Sequence, residues 1–86
     1  MNKSIIFDAI GWKDYTEWLR EDRKIVKKIN DLIDDINRNA FTGLGKPEPL
    51  RNELSGYWSR RITDKHRLIY RVSEDKIYII ACRGHY

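Results

Sequence analysis

Three stretches decide the fold: Tyr57-Trp-Ser-Arg-Arg-Ile-Thr63, Arg67-Leu-Ile-Tyr-Arg-Val-Ser73 and Lys76-Ile-Tyr-Ile-Ile-Ala-Cys-Arg83. Each is rich in β-branched and aromatic residues, and short polar turns separate them. They predict three consecutive antiparallel strands at about 57–63, 67–73 and 76–83. Burial argues for a register in the first hairpin. A two-residue turn at Asp64-Lys65 pairs Arg61 with Leu68 and leaves both faces mixed. A three-residue connection pairs Ile62 with Leu68, Arg60 with Tyr70 and Trp58 with Val72, giving one nearly apolar face. Burying one face specifies register strongly, so the second arrangement is preferred. The other face then carries Tyr57, Ser59, Arg61, Arg67, Ile69 and Arg71. An antiparallel sheet often wets one face, but three arginines among tyrosine and serine look more like a phosphate-binding surface. In the second hairpin, a turn at Glu74-Asp75 pairs Arg67 with Cys82. The closing residues Gly84-His85-Tyr86 then project past the sheet end, beside Arg67 and Arg61.

Upstream, residues 3–8 read as a short strand. Residues 9–21 read as a helix with Trp12, Tyr15, Trp18 and Leu19 on one stripe, capped by Asp8 or Asp14. Asp22 is the expected N-cap of a second helix, about 23–38, whose stripe is Ile25, Ile29, Leu32, Ile33 and Ile36. Residues 40–56 hold three glycines and two prolines and read as a long irregular connection, with Gly43-Leu-Gly45 a flexible turn. Pro47 and Pro49 bracket Glu48 and stiffen its backbone. The expected fold is α+β: two N-terminal helices packed on one face of a small, mainly antiparallel β-sheet.

The 86 residues suit a single domain, 1–86, with one core. Hydrophobic residues at 41% and charged residues at 35% argue against disorder. No apolar run is long enough to cross a membrane, and the N-terminus lacks a secretory pattern. A lone Cys82 has no disulfide partner within the chain, so a cytoplasmic location is expected. The net charge is +4. Residues 1–35 are slightly acidic, so the positive charge belongs to 36–86, consistent with a nucleic-acid partner.

No metal-ligand spacing and no Gly-rich phosphate loop occurs, so neither metal nor cofactor is expected. What remains is a carboxylate, an imidazole and arginines, a set suited to cutting RNA by its own 2′-hydroxyl. A base removes the 2′-OH proton, an acid protonates the leaving 5′-oxygen, and a cation steadies the extra negative charge of the transition state. Glu48, His85 and Arg67 can fill these three roles. An ionised carboxylate suits the base, an imidazole beside phosphate suits the acid, and a guanidinium can hold two phosphate oxygens. His66 reads as a turn cap and Cys82 as packing. Tyr57 faces the basic side as a candidate base-stacking group, whereas Trp58 and Tyr70 fall on the core side.

Five segments carry a likeness. They are Arg23-Lys-Ile-Val-Lys-Lys-Ile-Asn30, Gly45-Lys-Pro-Glu-Pro-Leu50, Leu54-Ser-Gly-Tyr-Trp-Ser-Arg-Arg-Ile-Thr63, His66-Arg-Leu-Ile-Tyr70 and Ala81-Cys-Arg-Gly-His-Tyr86. The chain resembles the YoeB/Txe toxins of the RelE superfamily, mRNA interferases of bacterial toxin–antitoxin systems. The resemblance implies a protein, often dimeric, that enters the ribosomal A site and cuts the bound mRNA. It implies a cognate YefM/Axe-like antitoxin, with operator DNA contacted only through the antitoxin complex. By position it implies Glu48 as general base, His85 as general acid and Arg67 as transition-state cation. Arg61 and Tyr86 match positions that hold or orient RNA. Lys46 and Arg51 join them as candidate phosphate-binding or positioning groups, Arg51 standing where relatives often have Lys. Gly84 stands where relatives often have an aromatic. Two rivals fit the same residues: a basic RNA- or ribosome-binding module that does not cut, and a toxin-like partner in an autorepressor complex. The complete Glu48, Arg67 and His85 set favours the enzyme.

Overall fold

The structure, a computed structural model, describes residues 2–85. Strand β1 (Ser4–Phe7) leads into helix α1 (Ala9–Glu21) and helix α2 (Arg23–Arg38). Strands β2 (Glu48–Pro49), β3 (Trp58–Arg61), β4 (Arg67–Val72) and β5 (Lys76–Ala81) follow. The sheet order is β1-β5-β4-β3-β2; β1 runs parallel to β5 and every other pairing is antiparallel. This is the α+β arrangement expected from the sequence.

Both helices have the predicted bounds. Asp22 caps α2 by accepting from Lys24 N–H at 3.0 Å. Asp8 stands at the N-cap position of α1 without a side-chain cap bond. Asp14 is instead buried in mid-helix, where Cys82 N–H donates to its Oδ2 at 3.0 Å. The α2 stripe delivers Ile29, Leu32 and Ile36 to the core, all fully buried, against Leu68, Tyr70, Ile77 and Ile79. Each such side chain contributes about 1.5–3 kcal/mol by leaving water.

The strands depart from the expected register in two places. In the first hairpin Trp58 pairs with Tyr70, Arg60 with Leu68 and Arg61 with Arg67, two residues away from the expected alignment. The connection is longer than three residues. Ile62 and Thr63 N–H both donate to His66 O, and Thr63 Oγ1 accepts from Lys65 and His66 N–H. Thr63, rather than the His66 side chain, caps the turn. A slip of two residues is one full side-chain period, so the two faces keep the composition expected of them. In the second hairpin the turn at Glu74-Asp75 forms, with Val72 opposite Ile77. A β-bulge then shifts the register, so that Ile69 faces Ala81. Arg67 therefore does not pair with Cys82; its N–H donates to Gly84 O at 2.8 Å. The bulge advances the chain end by one residue and brings Cys82 into the core beneath α1.

The 40–56 connection is more ordered than its composition suggests. Glu48 and Pro49 form an edge strand on β3, a place where a proline's missing N–H costs no ladder bond. Gly45 is not a flexible turn. Its φ is +78°, its carbonyl accepts from Arg61 N–H at 2.7 Å, and a Cβ there would lie 2.9 Å from Leu32 and 3.0 Å from Arg61 O. Only glycine lets the loop approach β3 that closely.

Candidate active site

Strand alternation builds the site. Glu48 faces Ser59 across β2 and β3, and Ser59 faces Ile69 across β3 and β4. Two residues along, Arg61 faces Arg67. Directly opposed residues share a face, so Glu48, Ser59, Arg61 and Arg67 lie together on the side away from the helices. The backbones of Glu48 and Arg67 are then separated by two strands and one pleat, roughly 12 Å, a span that a glutamate and an arginine can close around a phosphate.

These side chains line one cleft of about 160 Å³, with Lys46, Leu50 and His85 completing the wall. The cleft thus gathers five of the residues singled out from the sequence: Lys46, Glu48, Arg61, Arg67 and His85. Arg51 is exposed at the start of a 3-10 turn (Asn52–Leu54) and does not line it. Tyr57 is half-buried and is not part of the wall. Tyr86 lies outside the described residues. Among the described residues, no three His, Cys, Asp or Glu side chains are grouped so as to hold a metal ion.

Arg67 is held from behind. Its Nη1 donates to Thr63 O at 2.7 Å, to Asp64 O at 3.1 Å and to His66 O at 3.2 Å. Its Nε and Nη2 make no hydrogen bond among the described residues and remain able to meet an anion. Glu48 makes no ion pair among the described residues. It is a carboxylate presented by an edge strand and not consumed by the fold.

The tail that carries His85 is tied at successive residues. Trp18 Nε1–H donates to Cys82 O at 2.9 Å, and Cys82 N–H donates to Asp14. Arg83 makes a two-pronged bond to Glu21, at 2.8 and 2.9 Å, and its guanidinium lies 4.1 Å from the Trp18 ring centre. That bond holds the Glu21 carboxyl below its usual range. Gly84 N–H donates to His66 Nδ1 at 2.9 Å, and Gly84 O accepts from Arg67 N–H. Gly84 itself has φ +88°, a conformation open to glycine, and it turns His85 into the cleft. The role of His66 was not visible in the sequence, where it read as a turn cap; its one signal was its place immediately before Arg67.

A model of the YoeB-like toxin of bacterial type II toxin–antitoxin systems matches residues 7–86. The chain belongs to that family. A Streptomyces coelicolor toxin YoeB is 55% identical, the match covering 95% of this chain and 98% of that protein. A YoeB dimer from Staphylococcus aureus superposes with a TM-score of 0.94 at 45% identity, each chain covered in full. YoeB in a heterotetrameric YoeB–YefM toxin–antitoxin complex from the same species superposes with a TM-score of 0.92, again at 45% identity and full coverage. The described cleft lies within the span that the YoeB-like toxin family covers.

Proposed function

We propose that this YoeB-like toxin is a ribosome-dependent endoribonuclease that cuts mRNA in the A site and so arrests translation. The observation that carries the proposal is the convergence of Glu48, Arg67 and His85 on one basic cleft. In this mechanism Glu48 takes the 2′-OH proton and the 2′-oxygen attacks the adjacent phosphorus. The bond from phosphorus to the 5′-oxygen breaks, and His85 gives that oxygen a proton. The products are a 2′,3′-cyclic phosphate and a 5′-hydroxyl. The unengaged nitrogens of Arg67 face the phosphoryl oxygens while charge builds on them. Arg61 and Lys46 draw the phosphate backbone into the cleft, with Arg51 and Tyr86 as outer positioning groups. The reaction so written uses no metal and no cofactor.

The Staphylococcus aureus relatives supply the partners: one is a dimer and one is held in a complex with YefM. The same two classes of partner, a second copy and a YefM-like antitoxin, are proposed here, with operator DNA met through that complex. A cytoplasmic site of action accords with a ribosomal target and a buried free Cys82. No helix among the described residues is long and apolar enough to cross a membrane.

The test is mRNA end-mapping on programmed ribosomes. The expected result is discrete cuts with 2′,3′-cyclic or 3′-phosphate ends, lost in Glu48→Gln and His85→Ala proteins that still fold. Arrested translation with intact mRNA favours a non-cutting ribosome binder instead.

A further inference from the structure

The imidazole of His66 is not part of the cleft wall; it sits behind it, between Trp18 and the backbone of Gly84. Its ring accepts from Gly84 N–H at 2.9 Å, and its carbonyl accepts from Arg67 Nη1 at 3.2 Å. The same carbonyl closes the β3–β4 connection by accepting from Ile62 and Thr63 N–H. The ring packs edge-on to Trp18, centroids 4.9 Å apart and planes at 77°, so it is not free to turn away.

We propose that His66 is a positioning residue for RNA cleavage: through an unprotonated Nδ1 it holds Gly84, and Gly84 sets where His85 stands against Arg67. This rests on the reading of His85 as proton donor. The hydrogen bond dictates the protonation state. Nδ1 can accept from an N–H only when it carries no proton, so the ring is the neutral tautomer with hydrogen on Nε2. Its surroundings favour that form. Burial, then Lys65 and Arg83, push the His66 pKa below the usual 6.5. Lys65 acts on it from its own hairpin and Arg83 from the tail, while Arg67 Nη1 meets its carbonyl. From α1 it meets Trp18, while Asp14 is bonded to Cys82 N–H and Glu17 and Glu21 pair with Arg83.

The two histidines are therefore needed in opposite states. A proton on His85 is the one delivered to the leaving oxygen. A proton on His66 turns Nδ1 into a donor facing another donor and releases Gly84. As pH falls through the lowered His66 pKa, the tail loses its anchor.

Two measurements test this. The first follows the Gly84 amide and His66 ring nitrogens by NMR through a pH titration. Both should move together in one step below pH 6.5, from an Nε2–H tautomer; a Gly84 amide indifferent to that step overturns the anchor. The second compares single-turnover cleavage by wild type, His66→Ala and His66→Asn on saturating programmed ribosomes. His66→Ala should lose about tenfold in the cleavage step, the scale of one net hydrogen bond, with ribosome affinity unchanged. The Asn Oδ1 stands near the place of Nδ1 and accepts without titrating. His66→Asn should therefore recover most of the rate and lose the His66 part of the acid-side decline. Equal rates in all three, or an unchanged acid limb in His66→Asn, overturn the proposal. A wild type that never cuts removes the nuclease reading instead, while the NMR titration still decides the anchor.

Discussion

Asp35 and Arg60 meet at 2.6 Å across the core, the carboxylate from the last turn of α2 and the guanidinium from the inward face of β3. Arg60 is fully buried, and its donors reach Asp35, Leu44 O, Asn39 O, Thr42 O and the Tyr70 hydroxyl. Tyr70 in turn donates to Ala40 O at 2.8 Å. One arginine thus organises the loop that leads to Glu48. Arg60→Ala should cost about 3–5 kcal/mol, because it strands a buried carboxylate and several carbonyls. Arg60→Lys should recover only part of this, since an ammonium cannot reproduce the planar fork. Urea unfolding checks both.

The same pair makes stability depend on acid. Leu44 N–H first, and Arg60 second, hold the Asp35 pKa below its ordinary 3.8. A depressed carboxyl pKa contributes stability that is present above the unfolded value and lost as pH falls through the folded one. Urea midpoints should therefore drop below about pH 4, and Asp35→Asn should flatten that part of the curve while lowering the plateau. An unchanged acid slope in Asp35→Asn removes this carboxylate as the source.

Arg60 also marks where sequence reading stops. The helix bounds followed from periodicity and one good cap, because 3.6-residue patterns are local. The sheet faces followed from alternation, which survives a two-residue slip, so Arg61 and Arg67 could be placed on one side; Glu48 read as part of an irregular connection, and its pairing with Ser59 was not visible. The register did not follow, since it depends on hydrogen bonds that Thr63 and His66 O make inside the turn. The bulge after Ile79 was equally invisible, because a single extra residue is chosen by packing at Cys82 rather than by composition. Arg60 read as a polar interruption of an apolar face. Its clue was Asp35, one turn after Leu32 on the buried side of α2, a carboxylate that needed a cation.

Gly45 ties the loop that carries Glu48 to β3, and its substitution tests whether the proposed cleavage depends on that approach. In Gly45→Ala the methyl meets Leu32 and the Arg61 carbonyl, and φ +78° is strained for any L side chain. A loss of about 1–3 kcal/mol is expected from the left-handed strain and the contact together. Cleavage per folded molecule should fall as well, because Glu48 lies three residues on. A variant that is destabilised yet cuts at the wild-type rate per folded molecule shows that Glu48 does not depend on this approach.

Cys82 should be chemically silent in the native protein. It is fully buried, and burial, then Asp14, pushes its thiol pKa up to about 12. The thiolate is the reactive form, so modification requires opening of the fold. Labelling by a disulfide reagent should follow the unfolding equilibrium with urea. Rapid native labelling at neutral pH contradicts this placement.

Trp18 is the remaining test of how the tail is held. Its indole N–H binds Cys82 O, its face receives Arg83, and its ring packs nearly perpendicular to that of His66. Trp18→Phe keeps an aromatic core filler but leaves a buried carbonyl without its donor, at about 1–3 kcal/mol. It also weakens the cation–π contact, which is strongest for tryptophan. Ile29→Ala is the control: it empties fully buried space on α2 and should cost about 2–5 kcal/mol. Destabilisation alone therefore predicts a larger defect in Ile29→Ala. Tail anchoring predicts the reverse order for cleavage per folded molecule, with Trp18→Phe slower and Ile29→Ala near wild type. Single-turnover rates corrected for the folded fraction decide between them, and a wild-type rate in Trp18→Phe means that His85 holds its place without the indole.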